Sequence, residues 1–96
     1  AQVGLLQRTR DMDVSAVRTA GAERPDDVAA QIAVSDLDVL GGHVEDAFNR
    51  LISFIQKHPA DGREEARVHL IELYSIVGDT DPRVSASRRK LARALF

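Results

Sequence analysis

Proline and glycine divide this 96-residue chain into short segments, which limits the folds that it can adopt. The breaks are Pro25, Gly41, Gly42, Pro59, Gly62, Gly78 and Pro82. Between them, apolar residues recur at the spacing of one helix face, and no segment alternates as a strand would. Short connections place consecutive helices antiparallel. The sequence therefore predicts an all-α fold of antiparallel helix hairpins, with about six helices.

The segment over residues 44–57 has the most regular helical pattern. Its apolar residues are Val44, Ala47, Phe48, Leu51, Ile52 and Ile55, at i, i+3 and i+4 spacing. Phe54 widens this stripe, so we expect the helix to be buried on two sides. The predicted core of the whole domain comprises Leu37, Phe48, Leu51, Leu70, Leu73 and Leu91.

Capping signals set the predicted ends of the neighbouring helices. Asp26 follows a proline and is predicted to cap a helix over residues 27–40. Asp61 and Glu64 resemble a capping box at the start of a helix that ends at Val77. Asp81 precedes a proline at the first position of a last helix.

The two prolines Pro25 and Pro59 lie 34 residues apart, and each is followed two residues later by an aspartate. A helix, a glycine-containing turn and a second helix occupy the interval. This arrangement resembles a tetratricopeptide repeat, whose period is 34 residues. The resemblance implies a right-handed array of helix hairpins, and an unrelated helical bundle is the alternative.

Pro25 also sets a predicted boundary within the chain. Residues 25–96 are predicted to form the tetratricopeptide-like domain. Residues 1–24 are predicted to contain N-terminal helices, one of them over residues 3–8, that end a truncated upstream helical unit.

Several segments resemble a more specific group of proteins. They are AVSDLD at 33–38, GGHVEDAF at 41–48, VGDTDPRV at 77–84 and RRKLA at 88–92. In these segments the chain is similar to the C-terminal helical domain of bacterial thioredoxin-like co-chaperones, the chaperedoxin group. The resemblance implies an upstream thioredoxin-fold domain and a role in holding unfolded clients and passing them to chaperones. A generic tetratricopeptide adaptor or assembly module is the alternative.

The sequence offers little for catalysis or cofactor binding. The chain has no cysteine, which excludes disulfides, thiolate metal sites and thiol catalysis from it. It has no glycine-rich phosphate loop and no nucleophile elbow. His43, His58 and His69 lack the spacing of metal ligands, and we expect His69 to pair with Glu65 on the helix surface. We therefore predict no catalytic residue, no metal and no cofactor.

The expected compartment follows from the same composition. Absence of cysteine fits a reducing environment, and no apolar run approaches the length of a membrane span. A cytoplasmic location without a membrane partner is the prediction.

A protein-binding groove is predicted on the first helix of each hairpin. Its candidate residues, related by a shift of 36 residues, are Gln31, Ser35, Asp38, Arg67, Ile71 and Tyr74. Their mixture of aromatic, aliphatic and polar side chains suits adaptable capture of a peptide. For Ile71 and Tyr74 the alternative is a place in the core, and for Asp38 it is a solvated surface.

Charge is distributed unevenly along the chain, whose net charge is −2. Residues 11–46 carry a net charge of −7 and residues 82–96 a net charge of +5. A candidate basic surface on the last helix comprises Arg88, Arg89, Lys90 and Arg93. Nucleic-acid binding is the less favoured interpretation, because no aromatic residue is interleaved with these cations. Arg88 and Arg89 are alternatively expected to pair with the acidic region 26–46, and self-association of the chain is a further expectation.

Overall fold

The computed structural model describes residues 14–95, which form five α-helices and no strand. The helices are α1 (Val14–Glu23), α2 (Val28–Leu40), α3 (Val44–Lys57), α4 (Arg63–Val77) and α5 (Pro82–Leu95). The predicted all-α array of hairpins is confirmed. The helix predicted over residues 3–8 lies outside the described residues, and the division between residues 1–24 and 25–96 stays a prediction.

Helix α3 occupies the centre of the array and packs against α2, α4 and α5. Its apolar side chains are buried on two sides, including Phe54, as the widened stripe predicted. All six residues of the predicted core are also buried. Helix α3 has more apolar residues than a helix with one buried face requires, and this explains its central position.

The cap of α2 differs from the prediction by one residue. Asp27, not Asp26, is the N-cap, and its Oδ1 accepts a hydrogen bond from the backbone N–H of Ala30 at 3.3 Å. Asp26 instead contacts His58, at the other end of the hairpin. Both aspartates follow Pro25, so the local signal did not distinguish them.

Helix α4 begins differently from the predicted capping box. Its N-cap is Gly62, in a left-handed conformation with φ of 80°, and no side chain caps it. A Cβ atom at Gly62 would lie 3.0 Å from both Phe54 and Val28. Glycine is therefore required at this turn by conformation and by space.

Helix α1 approaches α2 closely at Gly21. A Cβ atom built on this buried glycine would lie 2.6 Å from Cγ2 of Val34. The absence of a side chain at Gly21 therefore allows the close approach.

A polar contact inside the core joins α4 to α5. The hydroxyl groups of Tyr74 and Ser87 are 2.6 Å apart and buried. The ring of Tyr74 meets that of Phe48 edge-on, with centroids 4.9 Å apart. Burial raises the pKa of Tyr74, while Ser87 and the nearby Arg88 oppose that shift.

At the start of α5, the N–H groups of Arg83 bond to Asp81, which lowers the pKa of Asp81 to about 2.

Candidate functional site: the groove between α2 and α4

A groove runs between the first helices of the two hairpins, α2 and α4. Two adjoining hollows of about 370 and 360 Å³ make up this inter-helix groove. Its lining residues are Ala29, Ile32, Ala33, Asp36, Glu64, Glu65, Val68, His69 and Glu72. The groove thus combines apolar side chains from both helices with the carboxylates of α4, while Asp36 of α2 is buried at its base.

The base of the inter-helix groove is closed by a polar bridge. Nε2 of His69 lies 2.6 Å from Oδ1 of Asp36, and both side chains are largely buried. Nδ1 of the same imidazole lies 3.7 Å from a carboxylate oxygen of Glu72. The predicted partner Glu65 is thus replaced by Asp36, because the facing helix α2 brings that carboxylate to the imidazole. This bridge fixes the distance between the two walls.

Apolar side chains remain exposed beside this bridge. Val68 is 52% exposed and Ile71 is 45% exposed, and both lie on α4. Val68 lines the groove opposite Ile32 of α2. Exposed aliphatic side chains on a rigid helix pair offer anchoring points for a partner.

The predicted groove residues of α2 face another direction. Gln31, Ser35 and Asp38 are all buried on the side of α2 that meets α1 and α3. Helices α2 and α4 begin 35 residues apart, rather than the assumed 36. A change of one residue rotates the position on a helix by about 100°. The assumed shift of 36 residues therefore matched one face of α2 with a different face of α4.

Gln31 and Asp38 belong to a buried polar network. The Nε2 group of Gln31 donates hydrogen bonds to the carbonyls of Gly21 at 2.8 Å and Arg24 at 3.1 Å. Arg50 donates to Oε1 of Gln31 at 2.8 Å. Asp38 is 5% exposed, so it is not a solvated surface carboxylate, and it lies outside the inter-helix groove. It forms an ion pair with Arg18 at 3.1 Å.

This network borders a separate polar cleft of about 590 Å³ between α1, α2 and α3. Ser35 lies outside the cleft, and its hydroxyl donates to the carbonyl of Ile32 within the helix. Since the polar side chains at this joint bond mainly to α1 and α3, the network holds the first three described helices together.

The three predicted groove residues of α4 are divided among different environments. Tyr74 is 1% exposed and lies in the core, as the alternative interpretation held. Ile71 is exposed, so the core alternative is wrong for it. Arg67 donates through Nε to Glu64 at 2.9 Å, and this contact lowers the pKa of Glu64. A single continuous groove through all six predicted residues is therefore not present.

The candidate basic surface is exposed at all four positions: Arg88, Arg89, Lys90 and Arg93. Arg88 contacts Asp79 at 2.8 Å and lies over the ring of Tyr74. Its acidic partner is therefore outside the region 26–46 that the sequence suggested. Nζ of Lys90 lies 3.4 Å from Oδ1 of Asn49.

A histidine clamp joins the two ends of the first hairpin. Nδ1 of His58 is 2.9 Å from the carbonyl of Phe54, and Nε2 is 2.8 Å from Oδ1 of Asp26. The imidazole also stacks on the Phe54 ring at 3.9 Å. The pKa of His58 is raised above 6.5, first by the carbonyl and then by Asp26. Sequence reasoning did not identify Asp26 as the partner of His58, because the two residues are 32 positions apart.

We expect this clamp to make the stability of the domain depend on pH. Because the folded-state pKa of His58 is raised, its contribution is fully present below pH 6.5. It is lost as pH rises through the folded-state pKa. In urea unfolding, the free energy of unfolding of the wild type should therefore exceed that of His58→Gln by more at about pH 6 than at about pH 8.

His43→Gln is the matched control, since His43 is exposed at the turn before α3. If the difference in free energy of unfolding between the wild type and His58→Gln did not change with pH, the predicted role of the clamp would be contradicted.

Comparison with known proteins identifies the family. A family model described as tetratricopeptide repeat matches residues 7–96. The chain belongs to the tetratricopeptide repeat family. Tetratricopeptide arrays stack helix pairs into extended surfaces that bind other proteins, so this domain is a protein-interaction module. No solved structure matches the chain.

Three relatives of this tetratricopeptide domain are uncharacterized proteins, one of Mycobacterium bovis and two from strains of Mycobacterium tuberculosis. Each is 37% identical over 95 residues, which is 99% of this chain and 31% of the relative. The chain therefore spans about a third of the length of the curated relatives it matches.

Two further observations concern residues 14–95 of the tetratricopeptide domain. In this part of the chain, no three His, Asp or Glu side chains are grouped as a metal ion would require. None of the helices described there has both the length and the apolar character for crossing a membrane.

Proposed function

We propose that this domain is a non-catalytic binding module that holds apolar segments of unfolded or partner proteins. The observation that carries the proposal is the inter-helix groove, where Val68 stays exposed opposite Ile32. Ile71, three residues after Val68 on α4, is also exposed. A rigid pair of helices presents these side chains without reorganisation, because the bridge from His69 to Asp36 already fixes the walls. Binding then costs little ordering of the domain itself.

We further propose that the domain serves a thioredoxin-like co-chaperone in the cytoplasm. Support comes from the segments at 33–38, 41–48, 77–84 and 88–92 that resemble this group. The matched relatives are about three times as long as the chain, which leaves room in them for another domain. The expected partners are unfolded clients and the chaperones that receive them.

The test is suppression of client aggregation by the full-length protein. Val68→Ser with Ile71→Ser should weaken client binding about thirtyfold, since each side chain loses about 1 kcal/mol of apolar burial. Light scattering from a chemically denatured model enzyme measures the effect. Val14→Ser with Leu40→Ser is the matched control, because these residues are 50% and 38% exposed.

Equal loss of suppression in both double variants would argue against the inter-helix groove. The generic adaptor alternative makes a different prediction: a folded partner would bind, and denatured clients would not. Nucleic-acid binding through the basic surface would instead be weakened by neutralising Arg89 and Arg93, and would leave the groove variants unaffected.

A further inference from the structure

We propose that the basic surface of α5 is a second protein-binding surface, which takes an acidic helix of a partner protein. The proposal does not depend on the inter-helix groove, because that groove is lined by residues of α2 and α4. It depends on the cations of α5 that the described part of the domain leaves without an acidic partner.

Three cations of α5 can still bind a carboxylate. Arg89, Lys90 and Arg93 are exposed, and none of them forms an ion pair within residues 14–95. Lys90 contacts only the uncharged amide of Asn49, at 3.4 Å. Helix α5 itself contains no acidic residue. The positive charge of these three side chains, here called the free cations, is therefore available to a partner.

The remaining charges around α5 are already satisfied. At the start of the helix, Arg83 pairs with Asp81 and Arg88 pairs with Asp79, each at 2.8 Å. At its end, Arg63 donates to the carbonyls of Ala94 and Leu95 at 3.4 Å, which covers the negative end of the helix dipole. Positive potential is thus concentrated on the second half of α5, where the free cations lie.

The spacing of the free cations suits a second helix. Lys90 and Arg93 are three positions apart, and Arg89 and Arg93 are four positions apart. Residues at these spacings are neighbours on a helix surface, separated along the axis by about 5–6 Å. A partner helix with carboxylates one turn apart repeats the same distance. It can therefore form at least two ion pairs while it lies alongside α5.

Small side chains beside the free cations leave room for that helix. Ser85 and Ala92 are exposed, and Ala86 is half-buried. The large apolar residues of α5, Val84 and Leu91, are buried in the core and offer a partner no anchoring point. The surface therefore suits a helix rich in glutamate and alanine, against which the arginine stems can also pack.

A nucleic acid fits this surface less well than an acidic helix. Proteins that depend on phosphate contacts often make about 6–10 of them, and the three free cations supply fewer. A duplex long enough to reach more cations would also bring its phosphates towards Asp79 and Asp81 at the start of α5. A single helix can stay on the second half of α5 and avoid these carboxylates.

A second copy of the chain does not provide the required helix among its described residues. The carboxylates of α2 and α3 are at most two positions apart, and those of α4 are one, seven or eight positions apart. Helix α1 has a single acid, Glu23. No helix described in residues 14–95 therefore presents two carboxylates one turn apart, and we infer that the occupant belongs to another protein.

Three fluorescent alanine-rich helical peptides of equal length test the proposal by anisotropy. The first carries four glutamates at intervals of four positions, on one face. The second has the same composition with intervals of five positions, which distributes the glutamates around the helix. The third has lysines in place of the glutamates of the first. The first should bind about fivefold more tightly than the second, and the third should not bind.

Variants of the free cations test where the first peptide binds. Arg89→Gln with Arg93→Gln should weaken its binding about tenfold at low salt, and high salt should remove the difference. Arg24→Gln with Lys57→Gln is the matched control, because it removes two exposed cations elsewhere and changes the net charge equally. This control should leave binding within about twofold of the wild type. Circular dichroism should show wild-type helix content in every variant.

Several outcomes would overturn the proposal. Equal weakening by the two double variants would mean that only net charge matters, and equal binding of the two glutamate peptides would remove the helix spacing. A short DNA duplex that bound more tightly than the first peptide would assign the surface to nucleic acid. Sedimentation that showed self-association, lost in Arg89→Gln with Arg93→Gln, would assign it to a second copy.

The variant Val68→Ser with Ile71→Ser separates this proposal from the function of the inter-helix groove. It should leave binding of the first peptide unchanged, because both residues belong to α4. Weakened binding in this variant would place the peptide in the groove and overturn the proposal for α5. Loss of client suppression with unchanged peptide binding would support both surfaces.

Discussion

Replacing Tyr74 with alanine should lower the free energy of unfolding by about 3–5 kcal/mol. The side chain is 1% exposed, meets Phe48 edge-on and shares a hydrogen bond with Ser87. Truncation would leave a cavity between α4 and α5 and would also leave the buried hydroxyl of Ser87 without this partner. A domain of this size is typically stable by only about 5–15 kcal/mol, so the variant should be largely unfolded at moderate temperature.

Urea unfolding followed by circular dichroism measures this effect, and Tyr74→Phe separates its causes. The phenylalanine variant keeps the ring and loses the hydroxyl, so it should cost about 1 kcal/mol. Arg67→Ala, at a half-buried surface position, should cost less than about 1 kcal/mol. If Tyr74→Ala were no less stable than Arg67→Ala, the placement of Tyr74 in the core would be wrong.

Leu51→Ala should lower the free energy of unfolding by about 2–5 kcal/mol. Leu51 is completely buried in α3, the helix that packs against three others. Removing its side chain loses apolar burial and creates a cavity that several helices would have to move to close. Thermal and urea unfolding should both show the loss.

Val68→Ala is a matched control for Leu51→Ala, because Val68 is an aliphatic residue of which half is exposed. Its cost should stay within about 0.5 kcal/mol. A cost below about 1 kcal/mol for Leu51→Ala would mean that α3 is not the centre of the core.

The presence of the helices and the residues of the apolar core could be predicted, because both depend on patterns of neighbouring residues in the sequence. The stripe from Val44 to Ile55 repeats at helical spacing, and the glycines and prolines mark where it stops. Leu37 and Leu91 were correctly assigned to the core on the same basis. These features need no knowledge of which helices are neighbours.

The groove was more difficult to predict because it depends on how two helices align. The turn between α3 and α4 sets an offset of 35 residues, whereas the glycines alone suggested 36. With the offset of 35, Gln31, Ser35 and Asp38 correspond to the buried residues Ala66, Leu70 and Leu73, so the face chosen on α2 was itself a buried one. The buried Tyr74 was then assigned to the groove, although its neighbours Phe48 and Ser87 lie on other helices.

Polar partners distant in sequence were also beyond prediction. Asp38 pairs with Arg18, 20 residues away, and Asp36 with His69, 33 residues away. A carboxylate on a helix gives no local signal of such a partner. Without it, the expected place of an aspartate is the surface.

The two hairpins differ in the side chains that they bury at equivalent positions. Gln31, Ser35 and Asp38 of α2 stand where α4 has Ala66, Leu70 and Leu73. Repeat proteins characteristically misfold by exchanging similar units.

If α4 took the place of α2 during folding, its aliphatic side chains would offer no hydrogen bond to the buried carbonyl of Gly21. Each buried polar group left unpaired costs about 1–3 kcal/mol. The polar contacts with α1 therefore disfavour misfolded arrays, since only one of the two similar hairpins can pack beside α1 with these groups paired.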